Sequence, residues 1–491
     1  MRVPRAARSP VLPAASPELS YHPLPNADDV PHLSVEERLA RGRAARELIP
    51  LASHGTWKPP ARRGDAVAML ERQSAKRIPD LLPIRYGRMV SSPFAFFRGS
   101  AAVMASDLAG TPTSGLRAQL CGDAHLMNFG LFRTPERALL FGLNDFDETL
   151  PGPWEWDLKR LAASFEVAGR DLTLTAPQRR RIVLTTARSY RESMAEFAGQ
   201  TNLEVWYARL DAQKLLEDLE ASRDEQRKNV ARVVRKALRK DNLGAFDRLI
   251  EQRDGSMRFC VDPPLLMPVA VLLDEAERRR YLTSMRDFLS QYRSSLAPDR
   301  RVLISSYRMV DVARKVVGVG SVGTRCWVVL MLGRDSSDPL FLQLKQANRS
   351  VLEPFAGPSR YRQRGRRVVE GQRLMQAASD PLLGWYRVRG FDGRTHDLYV
   401  RQLWDGKASV DLTTLNPEGL DRYARICGWT LARGHARSGD RVAISAYLGD
   451  TDEFDEAVAD FAATYADVSE EDHGALGKAV ANGRINAVKD I

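Results

Sequence analysis

The chain has 491 residues, of which 44% are hydrophobic and 27% are charged, and its formal net charge is +11. This composition excludes a largely disordered protein, and the length predicts at least two lobes, because a single hydrophobic core stops growing near roughly 250 to 300 residues. No apolar run reaches the roughly 18 to 20 residues that cross a bilayer, and no signal-peptide core is present, so we expect a cytoplasmic protein without a membrane partner. The positive charge favours anionic partners.

The N-terminal segment, residues 1–64, is rich in proline, alanine and arginine and shows little hydrophobic periodicity. We expect a mostly disordered arm that ends in a short helix within SVEERLARGRAARELI. Residues 65–300 show long stretches of helical spacing, which predict a helical lobe. Between Leu116 and Phe146, however, short apolar runs flank a segment rich in glycine, aspartate, histidine and asparagine. This pattern predicts two strands beside a functional loop.

The loop contains CGDAHLMN, residues 121–128, and the next apolar run leads into LNDFDE, residues 143–148. Phosphoryl transfer from ATP requires a carboxylate that orients or deprotonates the acceptor hydroxyl, and oxygen ligands for magnesium on the phosphates. Asp123 can face the acceptor while Asn128, five residues later, turns to the metal. Asp145 adds a carboxylate from the end of the neighbouring strand. We therefore expect Asp123 as catalytic base, and Asn128 and Asp145 as magnesium ligands.

Two neighbours of these residues are further candidates. Asp147 stands where it can add a metal contact, and His125 invites a metal-ligand interpretation. No second histidine lies at ligand spacing from His125, so we do not expect a zinc hydrolase. Aspartate and asparagine are also common in loops for backbone reasons alone, so the site depends on agreement with other segments of the chain.

A basic stretch at residues 225–240, EQRKNVARVVRKALRK, surrounds an apolar stripe at helical spacing. We interpret it mainly as a solvated face over a buried stripe. Nucleic-acid binding through this stretch is the alternative. Only charge supports that alternative, and it would give a steep salt dependence, so nucleic acid is not the expected partner.

Residues 301–405 have β-type patterns with one helical segment, which predict a small β-rich nucleotide-binding lobe. In VGVGSVGTR, the residues Gly318, Gly320 and Gly323 have G-x-G-x-x-G spacing, and the strand-like CWVVLML follows directly. A dinucleotide-binding turn would instead be followed by a helix. We therefore interpret this segment as a glycine-rich hairpin that covers phosphates.

The strand FLQLKQA follows the glycine-rich hairpin and carries Lys345, the expected partner of the α- and β-phosphates. Glu370, on the next helical segment, is its candidate ion-pair partner, and the strand LYVRQLW would lead to the backbone that reads adenine. Residues 406–491 return to helical spacing and are expected to complete the larger lobe. Within HARSGD, His435 and Asp440 are possible site residues, although a histidine at a helix end is more often a structural hydrogen-bonding group.

These motifs resemble those of the aminoglycoside phosphotransferase and protein-kinase-like superfamily. Its catalytic loop reads H-G-D-x-x-x-x-N, which CGDAHLMN matches except at Cys121, and its metal motif D-F-G stands here as D-F-D. The segment GPWEWDLKRLA is similar to G-D-P-x-x-D-L-A of these enzymes, and the resemblance gives Asp157 the position that braces the catalytic loop.

Over nearly everything after residue 65, the sequence is identified as a member of the bacterial domain of unknown function 2252 family. The segments that carry this resemblance are RYGRMVSSPFAFFRGSA, CGDAHLMNFG, NDFDET, LQLKQA, VVEGQRLMQAASD, YVRQLWD and HARSGD. The family implies a kinase-like fold and no established substrate.

The fold class that we predict is α+β: a two-lobed, protein-kinase-like fold in circularly permuted order, because the glycine hairpin follows the catalytic loop. The predicted activity is ATP- and Mg2+-dependent phosphotransfer to a hydroxyl-bearing acceptor, and the resemblance favours a small molecule as that acceptor. Two alternatives remain open. One is nucleotidyl transfer to a protein on the same fold, and the other is a non-catalytic regulatory module that binds a nucleotide.

Overall fold

A computed structural model describes residues 32–214, 232–235, 237, 242–253, 255–390, 393–403 and 406–488. Its architecture mixes helices with antiparallel sheets, so the α+β prediction is confirmed. The α-helices are α1 (Val35–Leu48), α2 (Ala66–Ser74), α3 (Leu82–Val90), α4 (Pro93–Gly99), α5 (Ala101–Leu108), α6 (Trp154–Asp171), α7 (Ala176–Gly199), α8 (Asn202–Tyr207), α9 (Asn242–Leu249), α10 (Val269–Leu272), α11 (Glu275–Ser294), α12 (Pro298–Ser305), α13 (Glu353–Ala356), α14 (Arg364–Met375), α15 (Pro417–Ala436), α16 (Arg441–Leu448) and α17 (Glu453–Ala481). The strands are β1 (Arg117–Leu120), β2 (Phe129–Arg133), β3 (Leu139–Leu143), β4 (Leu150–Pro153), β5 (Leu210–Asp211), β6 (Ile250–Arg253), β7 (Ser256–Phe259), β8 (Leu266–Pro268), β9 (Arg308–Lys315), β10 (Cys326–Leu332), β11 (Pro339–Ala347), β12 (Gly384–Arg389) and β13 (Thr395–Gln402).

Helix α6 is the centre of the helical part, where it packs against α7, α15 and α17. Almost every residue of α6 is buried, including the charged residues Glu155, Asp157, Lys159 and Arg160. A helix that is buried on all sides belongs to the core of a large domain. Charged side chains on such a helix are costly unless other groups satisfy them, and so they indicate a role beyond packing.

The described part of the N-terminal arm, residues 32–64, differs from the sequence analysis. The predicted short helix is present as α1, with a capping box between Ser34 and Glu37. The segment after it is folded instead of disordered, because Leu51, His54 and Trp57 are buried against the helical core. The apolar residues that make these contacts are isolated along the chain, so they produce no periodicity. Residues 1–31 lie outside the described part of the chain.

The larger sheet has six strands in the order β12-β13-β11-β10-β9-β8, and every pair is antiparallel. Side chains alternate between its two faces, as they do in any strand. On β11, Leu342 and Leu344 face a cluster that includes Tyr292 of α11, whereas Gln343 and Lys345 face the opposite side. The sheet therefore has one mainly apolar face, which packs against α11, and an opposite face that carries Gln343 and Lys345.

The lobe boundary at residue 300 is a second correction. Strand β8 pairs with β9, and α11 packs on the apolar face of the sheet through Phe288 and Tyr292. Residues 266–300 therefore belong with the β-rich part and not with the helical lobe. Helical spacing predicts α11 but does not say which element its apolar side contacts.

Most of the basic stretch at 225–240 lies outside the described residues. Among the described helices, none combines the length and apolarity needed to span a membrane.

Arg63 generates a stability prediction, because its guanidinium joins Asp107 on α5 to Asp472 on α17 through contacts of 2.7 to 2.8 Å. The variant Arg63→Ala leaves two largely buried carboxylates without their cation, so we expect the free energy of unfolding to fall by about 3 kcal/mol in urea denaturation. The exposed neighbour Arg62 supplies the control, since Arg62→Ala should change it by less than about 0.5 kcal/mol. Equal effects of the two variants would contradict the assigned role of Arg63.

Candidate active site

The loop after β1 is held by a buried carboxylate on α6. The backbone N–H groups of Cys121 and Gly122 donate to Asp157, over 2.6 and 2.9 Å. Nε2 of His435 lies 3.4 Å from the same carboxylate, and its Nδ1 lies 2.8 Å from the hydroxyl of Tyr190. Asp157 thus contacts the loop in the way that the resemblance implies. The structure places His435 behind Asp157, where it supports this carboxylate and does not reach the loop's open side.

Asp123 projects from this loop and forms an ion pair with Arg160 of α6. Nε of Arg160 lies 2.6 Å from Oδ1 of Asp123, and Nη2 of the same guanidinium donates to the carbonyl of Phe97. Burial raises the pKa of Asp123, and Arg160 opposes that effect. The side chain of Asp123 remains 21% exposed, so the group is accessible while Arg160 fixes one of its oxygens.

His125 is a structural neighbour of Asp123. Its Nε2 lies 4.0 Å from Oδ2 of Asp123, and its Nδ1 accepts the N–H of Met127. Burial holds the pKa of His125 well below its usual value, and the positive charges of Arg98 and Arg160 act in the same direction. His125 is therefore neutral and shapes the loop.

The loop after β3 carries Asp145, and we call it the metal loop after the predicted role of that residue. It lies directly beside the loop after β1, which we call the catalytic loop after the predicted role of Asp123. The N–H of Asn144 donates to the carbonyl of Asn128, over 2.8 Å, and Sγ of Cys121 donates to the carbonyl of Asp145. The amide nitrogen of Asn128 donates to the carbonyl of Asp123, over 2.7 Å. The two predicted metal ligands, Asn128 and Asp145, are thus on loops that are bonded to each other.

The oxygen atoms of Asn128 and Asp145 are of the kind that magnesium binds. Asn128 uses its amide nitrogen inside the loop, which leaves the amide oxygen as a donor to a cation, and the carboxylate of Asp145 is one-third exposed. Within the described residues, no group of three or more histidine, cysteine, aspartate or glutamate side chains is arranged to hold a metal. A magnesium ion here would take its other ligands from phosphates and water, which is how Mg2+ is usually bound.

Lys345 reaches this loop from the large sheet. Its Nζ lies 2.6 Å from Oδ2 of Asp147 and 3.6 Å from Oδ2 of Asp145. Asp147 also accepts the hydroxyls of Tyr399, over 2.7 Å, and Ser321, over 3.3 Å. Burial acts to lower the pKa of Lys345, but the two aspartates outweigh it and hold the pKa well above its usual value. Segments 198 residues apart in sequence therefore share one buried cation.

The expected pair between Lys345 and Glu370 is wrong. Glu370 is partly exposed and lies 3.6 Å from Arg366 and 4.0 Å from Arg373 on its own helix, α14. The side chain that α14 directs at the metal loop is Arg367, which is buried and donates to the carbonyls of Asp147 and Thr149. Asp147 occupies the ion-pair position that the sequence analysis gave to Glu370.

The glycine segment between β9 and β10 lies beside the carboxylate of Asp147. Gly318 and Gly323 have φ values of 64° and 84°, a region that favours glycine. The guanidinium of Arg77 donates to the carbonyls of Gly320 and Val322, over 2.7 and 2.5 Å, and Arg88 donates to the carbonyl of Gly318. The segment from α2 to α3 thus fixes the glycine loop through its carbonyls. Together with the contact from Ser321 to Asp147, this places the loop beside Lys345.

The apolar half of the same sheet face is covered by the chain itself. We call α9 together with β6 and β7 the cover. Its Phe259 donates its N–H to Asp311 of β9, over 2.9 Å, and its ring centroid lies 6.0 Å from that of Phe341. The buried apolar residues in this contact are Ala245, Leu249, Phe259, Leu266, Ala313, Val328, Leu330, Leu332, Phe341 and Leu403.

Asp440, the last of the possible site residues, does not join the site. It caps α16 by accepting the N–H of Ala443, and its carboxylate lies 3.6 Å from Arg38 and 3.7 Å from Arg41. These contacts connect α1 to α16, so its role is structural.

Several residues at the site were missed by reasoning from sequence. Arg160 follows Asp157 by three positions on α6, and this helical spacing predicts a shared face, so it was detectable once Asp157 was placed. Arg77 carries no local signal, because its contacts are with a segment far away in sequence. Arg98 carries none either. Tyr399 reads as an ordinary strand residue until the pairing with Lys345 is known.

A family model described as "Uncharacterized protein conserved in bacteria (DUF2252)" matches residues 77–479. The matched range contains the catalytic loop, the metal loop, the glycine loop and Lys345. Comparisons with curated proteins and with solved structures found no match. Because the match covers most of the chain, this protein belongs to the bacterial DUF2252 family.

Proposed function

We propose that this protein is an ATP- and magnesium-dependent phosphotransferase that acts on a hydroxyl group of a small-molecule acceptor. The observation that carries the proposal is the position of Lys345, whose Nζ lies 3.6 Å from Asp145 at the metal loop. A lysine on a strand after a glycine-rich hairpin, beside a metal-binding aspartate, is the phosphate-holding arrangement of kinases. The sequence separates these parts widely, so their meeting is not a consequence of local chain geometry.

In this proposal the acceptor oxygen forms a bond to the γ-phosphorus of ATP, and the bond from that phosphorus to the β–γ bridging oxygen breaks. ADP leaves with the electron pair of the broken bond, and the acceptor proton passes to Asp123. Burial raises the pKa of Asp123, which makes the carboxylate a better proton acceptor. Arg160 fixes one carboxylate oxygen, so that the other is directed at the acceptor.

Other side chains bind and orient the nucleotide. Lys345 neutralises phosphate charge, and Asp147 keeps its ammonium in place together with Tyr399. Asn128 and Asp145 would hold magnesium, which supplies charge compensation on the phosphates when it is bound. The glycine loop excludes water above them.

The order of elements supports a circularly permuted, kinase-like fold as part of the proposal. The β-rich part runs from β9 through the glycine loop to β10, then to the lysine strand β11, helix α14, and strands β12 and β13. Glycine loop, lysine strand and helix follow one another in this order in protein kinases. Here the catalytic and metal loops precede these elements in the chain, which is the permutation that the proposal contains.

The cover restricts nucleotide access. Residues on β11 are about 3.4 Å apart along the strand, so the covered Phe341 lies roughly 14 Å from Lys345 on the same face. A nucleotide with its phosphates at Lys345 directs its base along this face toward Phe341 and Val328. Both residues are buried under the cover. ATP binding therefore requires the cover to shift, and the apparent affinity is reduced by the fraction of molecules in which it has shifted.

The first prediction from the proposed function concerns binding of ATP with magnesium, measured by calorimetry. The wild type should bind ATP in a magnesium-dependent manner, and both Asp145→Ala and Lys345→Ala should weaken binding by at least about 100-fold, since each removes a charge-assisted contact. The exposed residues Asp299 and Lys58 supply matched controls, and their alanine variants should bind like the wild type. Absence of binding by the folded wild type would end the proposal.

The second prediction concerns catalysis. Asp123→Asn removes the proton acceptor, so turnover of ATP to ADP should fall by about 100-fold to 10,000-fold. The affinity for ATP should remain within about threefold of wild type, because Asp123 contacts the acceptor and not the nucleotide in this proposal. The thermal unfolding midpoint of the variant should be recorded, because Asp123 also pairs with Arg160. A folded variant with undiminished turnover would exclude Asp123 as the base.

The third prediction concerns the cover. Phe259→Ala removes its main aromatic contact with the sheet, so the shifted state becomes more populated and ATP should bind at least about tenfold more tightly. Phe288→Ala is the matched control, because it deletes an equally buried phenyl group on the opposite, apolar face of the sheet. It should lower stability without tightening ATP binding. Equal ATP affinities of the two variants would show that the cover does not limit access.

A further inference from the structure

Arg98 lies between the glycine loop and the Asp123–Arg160 pair. The carbonyl before it, on Phe97, accepts from Arg160 over 2.9 Å, and the carbonyl after it, on Gly99, accepts from Arg85 over 3.1 Å. A Cβ atom on Gly320 would lie 3.3 Å from the carbonyl of Arg98 itself. The backbone on both sides of Arg98 is therefore fixed by hydrogen bonds, and Arg98 itself lies close to Gly320 of the glycine loop.

The guanidinium of Arg98 differs from its neighbours in having no protein acceptor. Among the described residues, none accepts a hydrogen bond from it, no carboxylate lies within the 4.0 Å of an ion pair, and its Nε is buried without a partner. Burial lowers the pKa of Arg98, and the charge of Asp123 opposes that effect. By contrast, Arg77, Arg85 and Arg160 each donate to protein acceptors.

A partly buried cation without a protein partner is costly, and an anionic ligand that supplies the missing negative charge would offset that cost. Arginine suits this task because it stays protonated and presents several donors in a fixed fork. The surroundings specify an anion that lies between the glycine loop and Asp123. A phosphoryl group in transfer passes through this region in the proposed reaction.

We propose that Arg98 is a catalytic arginine that binds an oxyanion of the reacting phosphoryl group, on the side opposite to Lys345. The inference rests on the proposed function and names a residue that this function did not include. The arginine gains or loses no proton during transfer. It donates hydrogen bonds to the equatorial oxygens of the γ-phosphorus while the bond to the bridging oxygen breaks. The same oxyanion chemistry could come from an anionic group on the acceptor, and the experiment distinguishes the two sources.

The experiment compares wild type, Arg98→Ala and Arg98→Lys, with Arg43→Ala on the exposed side of α1 as the charge-matched control. Calorimetry measures ADP with magnesium, ATP with magnesium, and ADP with magnesium and fluoroaluminate, a mimic of the transferring phosphoryl group. We expect Arg98→Ala to bind ADP normally and to weaken the fluoroaluminate complex by about 100-fold to 1,000-fold. Arg98→Lys should recover only part of this loss, since the fork is absent.

A second measurement records the thermal unfolding midpoint with and without inorganic sulfate in the presence of ADP and magnesium. If Arg98 instead binds an anionic acceptor group, the fluoroaluminate complex is unchanged and only the stabilisation by sulfate is lost in Arg98→Ala. Without any anion, Arg98→Ala should unfold at the same temperature as wild type or higher, because an unpaired buried charge has been removed. A merely structural arginine would give a lower midpoint.

The proposal is overturned if Arg98→Ala matches wild type with fluoroaluminate and with sulfate, or if the variant is destabilised without anions. Failure of the proposed function gives a different result, in which the wild type binds no nucleotide. In that case the thermal unfolding midpoint measured with sulfate alone still tests whether Arg98 binds an anion. Stabilisation of wild type that is absent from Arg98→Ala supports an anion site at Arg98, and equal stabilisation of both proteins removes it.

Discussion

The contact of the buried Lys345 ammonium with Asp145 and Asp147 holds the larger sheet to the loop that follows β3. Its three charges stand close together, with Asp147 at 2.6 Å and Asp145 at 3.6 Å from the ammonium. Buried ion pairs add little net stability, because desolvation offsets their attraction. Here these ion pairs instead fix the position of the sheet, because Lys345 reaches the two carboxylates only when the sheet packs against the loop after β3 in this orientation. Arg367 and Tyr399 then fix the metal loop from the same side.

Helix α6 performs the corresponding task for the catalytic loop. Asp157 and Arg160 lie three residues apart, so one face of the helix presents an anion to the loop backbone and a cation to Asp123. Neither group faces solvent, and each is satisfied by the loop that it holds. The loop can therefore keep its shape while Asp123 stays partly exposed. His435 and Tyr190 extend this support from α15 and α7.

The two parts of the site differ in how complete they are. The carboxylates and Lys345 satisfy one another, whereas Arg98 has a fixed backbone and an unpaired guanidinium within the described chain. The apolar face next to Lys345 is satisfied by the cover. The apolar half of this sheet face is therefore closed by the chain itself, whereas the guanidinium of Arg98 is left without a protein acceptor beside the Asp123–Arg160 pair.

The amino-acid sequence by itself determined the α+β class and the family, because helical spacing, strand alternation and contiguous motifs are local properties. The same locality made Asp123, Asn128 and Asp145 visible, since one loop and one strand end place them together. Only the tertiary structure decided that Asp147 and not Glu370 pairs with Lys345, that residues 266–300 join the sheet, and that α1 and Trp57 belong to the helical core. Each of these depends on which distant surface a side chain meets, and the periodicity of a segment shows that it has a buried side without identifying the partner.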